Sequence, residues 1–397
     1  MKKSEKTSGF ANPEDKTGSH SVMNLGFDAK RVFHNFTGLG NYGRTLLHDL
    51  QSTFPEHTYH LFTPRTGGDH PRTDYFADAQ RFQVHSPVGT RLMWRSAGIK
   101  RDLRKAGIDL YHGLSHELPL GIARTGIRSV VTMHDLIFRR YPQQYRWWDR
   151  QIYDLKCRHA CQQTDAIIAI SHSTKNDLIE AYGISPERIH VVYQACAPIF
   201  QQQLSPEMRR QALAPHDLPA AYLLSVGSLI PRKGLLKTVE ALRILPPAHD
   251  IPLVVVGNGK AYRQQIEAYL RQHRLSARVL FRPSIPFDAF PALYQQASAL
   301  LYPSLYEGFG IPVIEALWSR TPVITSDRSS LPEAGGPDSW YVDPGNAQSI
   351  AAAITSVLEN AEERAHRVQA GHTYAQRFEG QRLANEVMAV YRKTMTN

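Results

Sequence analysis

Cysteine is scarce. Cys157, Cys161 and Cys196 are all that the 397 residues contain, too few and too uneven for a disulfide framework. Cys157 and Cys161 stand one helical turn apart, as metal ligands could, but buried reduced thiols are the expected reading. No apolar run approaches the roughly 18–20 residues that a spanning helix needs, and the polar residues 1–21 hold no apolar stretch ahead of a cleavage site. There is no Asp-x-Asp triplet, and the Walker spacing GxxxxGK[ST] is missing, so a nucleotide-hydrolysing P-loop is not supported. No nucleic-acid-binding motif is present either. With 42% hydrophobic and 21% charged residues the composition is that of a globular, cytoplasmic protein, and the length suits two or three domains of roughly 100–200 residues.

Charge is unevenly spread. Residues 1–215 hold 28 Lys and Arg against 20 Asp and Glu, whereas residues 216–397 hold 18 against 16, so most of the net +10 lies in the first half. Such asymmetry points toward an anionic partner.

Along the chain, short apolar segments alternate with helical patterns. Strands are predicted at 25–28, 59–63, 82–85, 110–112, 130–133, 166–170 and 190–192, and again at 222–227, 253–257, 279–281, 300–303, 323–326 and 340–342. Helical patterns fall between them, and a last one runs over about 362–393. Strands alternating with helices of 10–15 residues imply βαβ units and parallel sheets. The expected organisation is a disordered extension at 1–21, a first Rossmann-like domain over 22–200, a linker at 201–221 without strand character, and a second Rossmann-like domain over 222–375. A C-terminal helix at 376–397 is long enough to return to the first domain. Ligands of doubly wound sheets bind at the carboxyl ends of strands, here in a cleft between two facing domains.

Two segments carry the strongest chemistry. Gly227-Ser228-Leu229-Ile230-Pro231-Arg232-Lys233-Gly234 follows an apolar strand and opens a helix, where free N–H groups and two cations suit an anion. Glu307-Gly308-Phe309-Gly310-Ile311-Pro312-Val313-Ile314-Glu315 follows another strand. Its glycines let backbone amides approach a ligand, Pro312 fits an early helical position, and a carboxylate can accept two hydrogen bonds from a vicinal diol.

These segments resemble retaining GT-B glycosyltransferases of family 4: Glu307 to Glu315 matches the E-x7-E motif, and residues 226–234 match the donor-phosphate loop. Further matches are Gly38-Leu39-Gly40-Asn41-Tyr42, His134-Asp135-Leu136, Ser171-His172-Ser173 and residues 281–286. The likeness runs from about residue 24 to the C-terminus. It departs at Ser228, where many members have Arg, and at Pro283, where glycine is usual.

The resemblance implies an α/β GT-B fold and metal-independent, same-face transfer of a hexose from a nucleotide diphosphate sugar to a glycan or lipid-linked acceptor. Glu307 would bind donor-sugar hydroxyls, and Gly308, Phe309 and Gly310 would offer amides. Ile311 and Pro312 would lie beside the diphosphate, Glu315 would hold the ribose, and Arg232 and Lys233 would neutralise the phosphates with Ser228 nearby. Ser284 and Ile285 would meet the nucleobase, Gly40 would bring the first domain's glycine loop to the phosphates, and His134 would sit near the reacting sugar. No cofactor beyond the donor is implied. His-Asp-Leu with Pro-Arg-Lys resembles the mannosyltransferase-like branch, suggesting GDP-mannose. Other readings are a cytosolic transferase making a soluble glycoside or storage sugar, and a non-catalytic sugar-nucleotide-binding protein. Gly38 to Gly43 also satisfies GxGxxG, but Glu56 is its only ribose candidate, so a dehydrogenase is disfavoured.

Arg91, Arg95, Lys100, Arg101, Arg104 and Lys105 gather on one helical stretch, and Tyr145-Arg146-Trp147-Trp148 mixes cations with aromatics. The acceptor side is expected to use Arg91, Arg95, Arg101, Trp147 and Trp148, against an anionic membrane surface or a phosphorylated acceptor. The competing reading packs both tryptophans in the core.

Overall fold

The computed structural model describes residues 22–65, 71–87 and 93–396; the extension at 1–21 and Arg91 lie outside them. Among the described residues thirteen strands form two sheets. The first holds β1 (Asn24–Asp28), β2 (Thr58–Phe62), β3 (Gln83–His85), β4 (Leu110–Gly113), β5 (Arg128–Met133), β6 (Ala166–Ala169) and β7 (Ile189–Val191) in the order β3-β2-β1-β4-β5-β6-β7. The second holds β8 (Leu223–Val226), β9 (Leu253–Val256), β10 (Val279–Arg282), β11 (Ala299–Tyr302), β12 (Val323–Ser326) and β13 (Trp340–Val342) in the order β10-β9-β8-β11-β12-β13.

Every pair is parallel. Helices cover both faces, which is why β9 reads Leu-Val-Val-Val with no alternation and is buried throughout. In each sheet the order reverses beside the first strand, β1 or β8, opening a crevice at the carboxyl ends.

The stretch 201–221 is more than a spacer. Ser205 caps a helix at Pro206–Leu213, with Pro206 at its first position where the missing N–H costs nothing. That helix packs on Phe290–Gln296, with Arg209 donating to the Gln295 carbonyl at 3.0 Å.

The long C-terminal pattern is also two helices, Ala361–Ala375 and Gly380–Thr396, broken at Gln376–Phe378. At the break Phe378 meets Tyr193 and Phe309, with ring centroids 5.6 and 5.5 Å away. The last helix lies on the first domain. Gly380 fits against Asp49, which leaves no room for a Cβ, and the Tyr391 hydroxyl hydrogen-bonds His112 Nδ1 at 2.6 Å. That bond continues a buried chain: His112 Nε2 to Thr132 Oγ1 at 2.8 Å, then to the Tyr42 hydroxyl at 2.9 Å. Among the described residues no helix is long and apolar enough to cross a membrane.

Candidate active site

The loop after β8 turns at Gly227, whose φ of +128° favours glycine, and puts Arg232 and Lys233 on one short turn, Pro231–Lys233. The loop after β11 carries Glu307 and leads through Gly310 (φ +139°) into the helix Ile311–Trp318. β8 and β11 are neighbours, so the two loops meet. Arg232 Nη1 and Lys233 Nζ both lie 3.0 Å from Glu307 Oε1, and the Tyr302 hydroxyl donates to the same oxygen at 3.1 Å.

Burial alone would raise the Glu307 pKa, but Lys233 and Arg232 hold it down to about 2. Two cations share one carboxylate, with the Asp135 carboxyl near enough to act on Arg232 as well. Buried Arg232 Nε has no hydrogen-bond partner.

Glu315, one helical turn on, is equally buried, and the charge of Arg72 offsets only part of its desolvation. It accepts from the Tyr294 hydroxyl at 2.7 Å, and desolvation raises its pKa to about 7. The helix therefore separates an ionised acid beside two cations from a second acid close to neutrality.

Several expected roles are relocated. His134 does not offer its ring to the cleft: Nε2–H donates to the Leu114 carbonyl at 2.9 Å, and Nδ1 accepts from the Gln194 amide at 3.1 Å. Burial, reinforced by His116, pushes its pKa down to about 3, so the ring is a neutral packing group. What it presents to the second domain is its carbonyl, against which Gly308 fits with no space for a Cβ.

Gly308 in turn accepts from the Ser171 hydroxyl at 2.8 Å, and the Phe309 ring is core, stacked on Tyr193. Gly40 is not part of a phosphate loop. Gly38–Thr53 is a helix, and a Cβ on Gly40 would lie 1.7 Å from the Asn35 carbonyl oxygen. The glycine that borders the cleft is Gly38. Ser228 and Ser284 are exposed, Ile285 is buried, and Ile311 and Pro312 are half-buried.

On the acceptor side Arg95 is a correction. It is tied to Asp28 and Glu117 and is no free surface cation. Arg101 is exposed, 3.7 Å from Asp102. Trp147 and Trp148 are 65% and 49% exposed, which rules out the core reading. They begin the helix Trp147–Gln163, whose Ile152 and Leu155 are also exposed.

Four residues without a motif of their own complete the site. Tyr302 contacts both Lys233 and Glu307, and Tyr294 holds Glu315. Ser329 accepts from the Glu307 amide at 2.8 Å. Glu333 accepts from the amides of His172 and Ser173, at 2.7 and 3.0 Å, across the domain interface. The only sequence signal for the tyrosines is their place beside β11.

Two facing parallel sheets with a cationic corner between them form a GT-B architecture. Residues 36–196 match the family model described as Glycosyltransferase Family 4, and residues 207–373 match the one described as Glycosyl transferases group 1. The chain belongs to the GT-B glycosyltransferases of the family 4 type and is an enzyme of glycosyl transfer.

It is similar to the O-antigen chain mannosyltransferase B of Escherichia coli, with 26% identity over 290 residues, 71% of this chain and 74% of the other. To the MMP alpha-(1->4)-mannosyltransferase of Mycolicibacterium hassiacum it is 25% identical over 293 residues, 70% and 68% of the two chains. Among solved structures, Anabaena HepE in complex with UDP and glucose shares the fold at a TM-score of 0.71 and 17% identity, covering 93% of this chain and 99% of that one.

Proposed function

We propose that this protein is a retaining mannosyltransferase, moving mannose from GDP-mannose to a glycan or lipid-linked acceptor without a metal ion. The observation that carries the proposal is the convergence of Arg232 and Lys233 on Glu307 at the N-terminus of Ile311–Trp318. Breaking the sugar–phosphate bond leaves negative charge on the diphosphate. Fixed cations and helix N–H groups stabilise that charge with no reorganisation at the moment of reaction. The acceptor oxygen bonds to C1 on the face the phosphate leaves, and its proton goes to a phosphate oxygen of the departing GDP. Glu307, kept ionised by the same cations, accepts from sugar hydroxyls. Glu315 accepts from the ribose, and the nucleobase lies beside Ser284 and Ile285. The mannosyl donor is supported by two relatives that are mannosyltransferases.

The acceptor reading rests on the helix Trp147–Gln163. Trp148, Ile152 and Leu155 form an exposed apolar stripe, with Arg146 stacked on Trp148 at 5.7 Å. Interfacial aromatics flanked by cations suit the anionic inner face of a membrane, which favours a lipid-linked acceptor over a soluble one.

A transfer assay with GDP-mannose, GDP-glucose and UDP-glucose, read by anomeric NMR, tests the donor and stereochemistry. Mannose transfer with retention is expected from wild type, and loss of at least a hundredfold from Lys233→Ala. An inverted product or a preference for UDP-glucose would overturn the reading. Flotation on liposomes with and without anionic lipid tests the acceptor side, and Trp148→Glu is expected to abolish binding.

A further inference from the structure

Both sheets reverse their strand order beside their first strand. In the second sheet that crevice, at β8 and β11, is the donor corner; in the first it lies at the carboxyl ends of β1 and β4. Arg31 follows β1, Ser115 and His116 follow β4, and His134 follows β5. Arg31 Nε donates to the buried Ser115 Oγ at 2.9 Å, which anchors the guanidinium on this rim. The rim faces the second domain, since the His134 carbonyl meets Gly308 beside Glu307.

The acids around Arg31 are already matched to other cations. Arg95 is tied to Asp28 and Glu117, Lys156 Nζ lies 3.2 Å from Glu117, and Asp135 acts on Arg232 across the cleft. Among the described residues no carboxylate pairs with Arg31, and Ser115 is the hydrogen-bond partner of its side chain, through Nε alone. Its two terminal nitrogens keep their N–H groups, a fork that matches two oxygens of one phosphate. His116 adds a donor. Its Nε2 accepts from the amides of His134 and Asp135, at 2.8 and 3.3 Å, so the ring proton sits on Nδ1. Burial first, and then the charge of Arg31, pushes the His116 pKa down to about 4, so this donor is a neutral ring beside one full positive charge.

The same loop is tied to the exposed apolar stripe. Lys156, which bonds Glu117 next to His116, stands on the helix Trp147–Gln163 with Trp148, Ile152 and Leu155. An acceptor that joins a phosphate to an apolar chain can therefore engage both. We propose that Arg31, with His116 beside it, binds a phosphate group of the acceptor on the first-domain wall of the cleft. This inference deepens the acceptor reading proposed above and rests on it.

The test is calorimetric titration of the full-length protein, first with GDP and then, with GDP saturating the donor corner, with octyl phosphate below its micelle concentration and with inorganic phosphate. Wild type is expected to bind octyl phosphate in the presence of GDP. Arg31→Met is expected to weaken that binding about 10- to 100-fold and to leave GDP affinity unchanged, and Arg31→Lys to recover part of the loss. Arg124→Met, which removes an exposed cation of the same domain, is expected to change neither. A melting scan without ligand confirms that each variant is folded. Inorganic phosphate binding as tightly as octyl phosphate, with the same dependence on Arg31, would support the phosphate site and make its source a phosphorylated sugar in place of a lipid phosphate. Octyl phosphate binding that survives Arg31→Met, or its absence from a protein that binds GDP, would overturn the inference while the donor reading stands. A parallel loss of GDP affinity in Arg31→Met would make Arg31 a donor-phosphate contact and overturn it as well. If wild type binds no GDP, the donor reading fails, and this inference with it.

Discussion

Glu307 and Glu315 are equally buried, at 8% exposure, yet their protons behave in opposite ways, because Lys233 and Arg232 overcome the desolvation of Glu307 whereas Tyr294 and Arg72 offset only part of that of Glu315. Glu307, held at about 2, is depressed below its unfolded value. Its contribution to stability is therefore complete above pH 4.5 and lost only as pH falls toward 2. Glu315, raised to about 7, is the reverse: its contribution is complete below about pH 4.5 and is lost as pH rises through 7. Glu315→Gln removes that loss, so the variant is expected to gain on wild type between pH 5 and pH 8, by on the order of 2 kcal/mol. Chemical denaturation at the two pH values measures it, and a constant difference would refute it. If ribose hydroxyls donate to Glu315 as proposed, they favour the ionised form, so nucleotide binding near pH 6.5 should release a fraction of a proton. Titration calorimetry in two buffers of different ionisation enthalpy reads that release, and Glu315→Gln should abolish it. Removing one partner of the buried cluster is a harsher change. Glu307→Ala leaves Arg232 and Lys233 unpaired and is expected to cost roughly 3–5 kcal/mol, visible as a lowered melting temperature alongside lost transfer.

At the level of elements, glycines that look alike in the chain have unlike surroundings. A Cβ on Gly40 would overlap the Asn35 carbonyl at 1.7 Å, whereas one on Gly38 would meet nothing within 4 Å. Gly40→Ala should therefore lower stability by several kcal/mol, and Gly38→Ala should leave it within about 1 kcal/mol of wild type; equal melting temperatures would contradict this. The same contrast explains what the chain made legible. Parallel strands buried on both faces, such as β6, β9 and β11, are near-continuous apolar runs, and the two motif loops follow from their strands. The short helices Lys30–His34, Pro71–Ala77 and Pro206–Leu213 have too few turns for a periodic pattern. Pro71–Ala77 carries Arg72, so that residue was illegible as well. The His-Asp motif marks the place of His134 at the strand end but says nothing of the direction of its ring. Only the partners Leu114 and Gln194, 20 and 60 residues away, show where it points. Trp147 and Trp148 posed the opposite difficulty, since a pair of tryptophans at a helix start is equally compatible with core and surface.

For the whole molecule, the contact between the domains joins aromatic packing of Tyr193 on Phe309 to a polar part built around a carboxylate. Glu333 of the second domain accepts from the first two amides of the helix His172–Tyr182 in the first, satisfying donors that a helix start otherwise leaves to water. Ser171 reaches Gly308 and Tyr306 reaches Asp177, so the latch lies beside the loop that carries Glu307. A helix cap contributes about 0.5–2 kcal/mol. Lost from a contact that domain separation would break, it shifts the closed-to-open equilibrium constant by a factor of roughly 2 to 30. If the donor binds the closed form, its apparent affinity falls by the fraction of closed form lost. Glu333→Ala is therefore expected to enlarge the radius of gyration of the free protein and to weaken nucleotide binding by no more than that factor. Saturating GDP should restore the compact form and leave the turnover rate nearly unchanged. Small-angle scattering with and without GDP, paired with steady-state kinetics, separates this from damage to the site itself: a fall in kcat with unchanged scattering would mean that Glu333 acts on the reacting groups and not on closure.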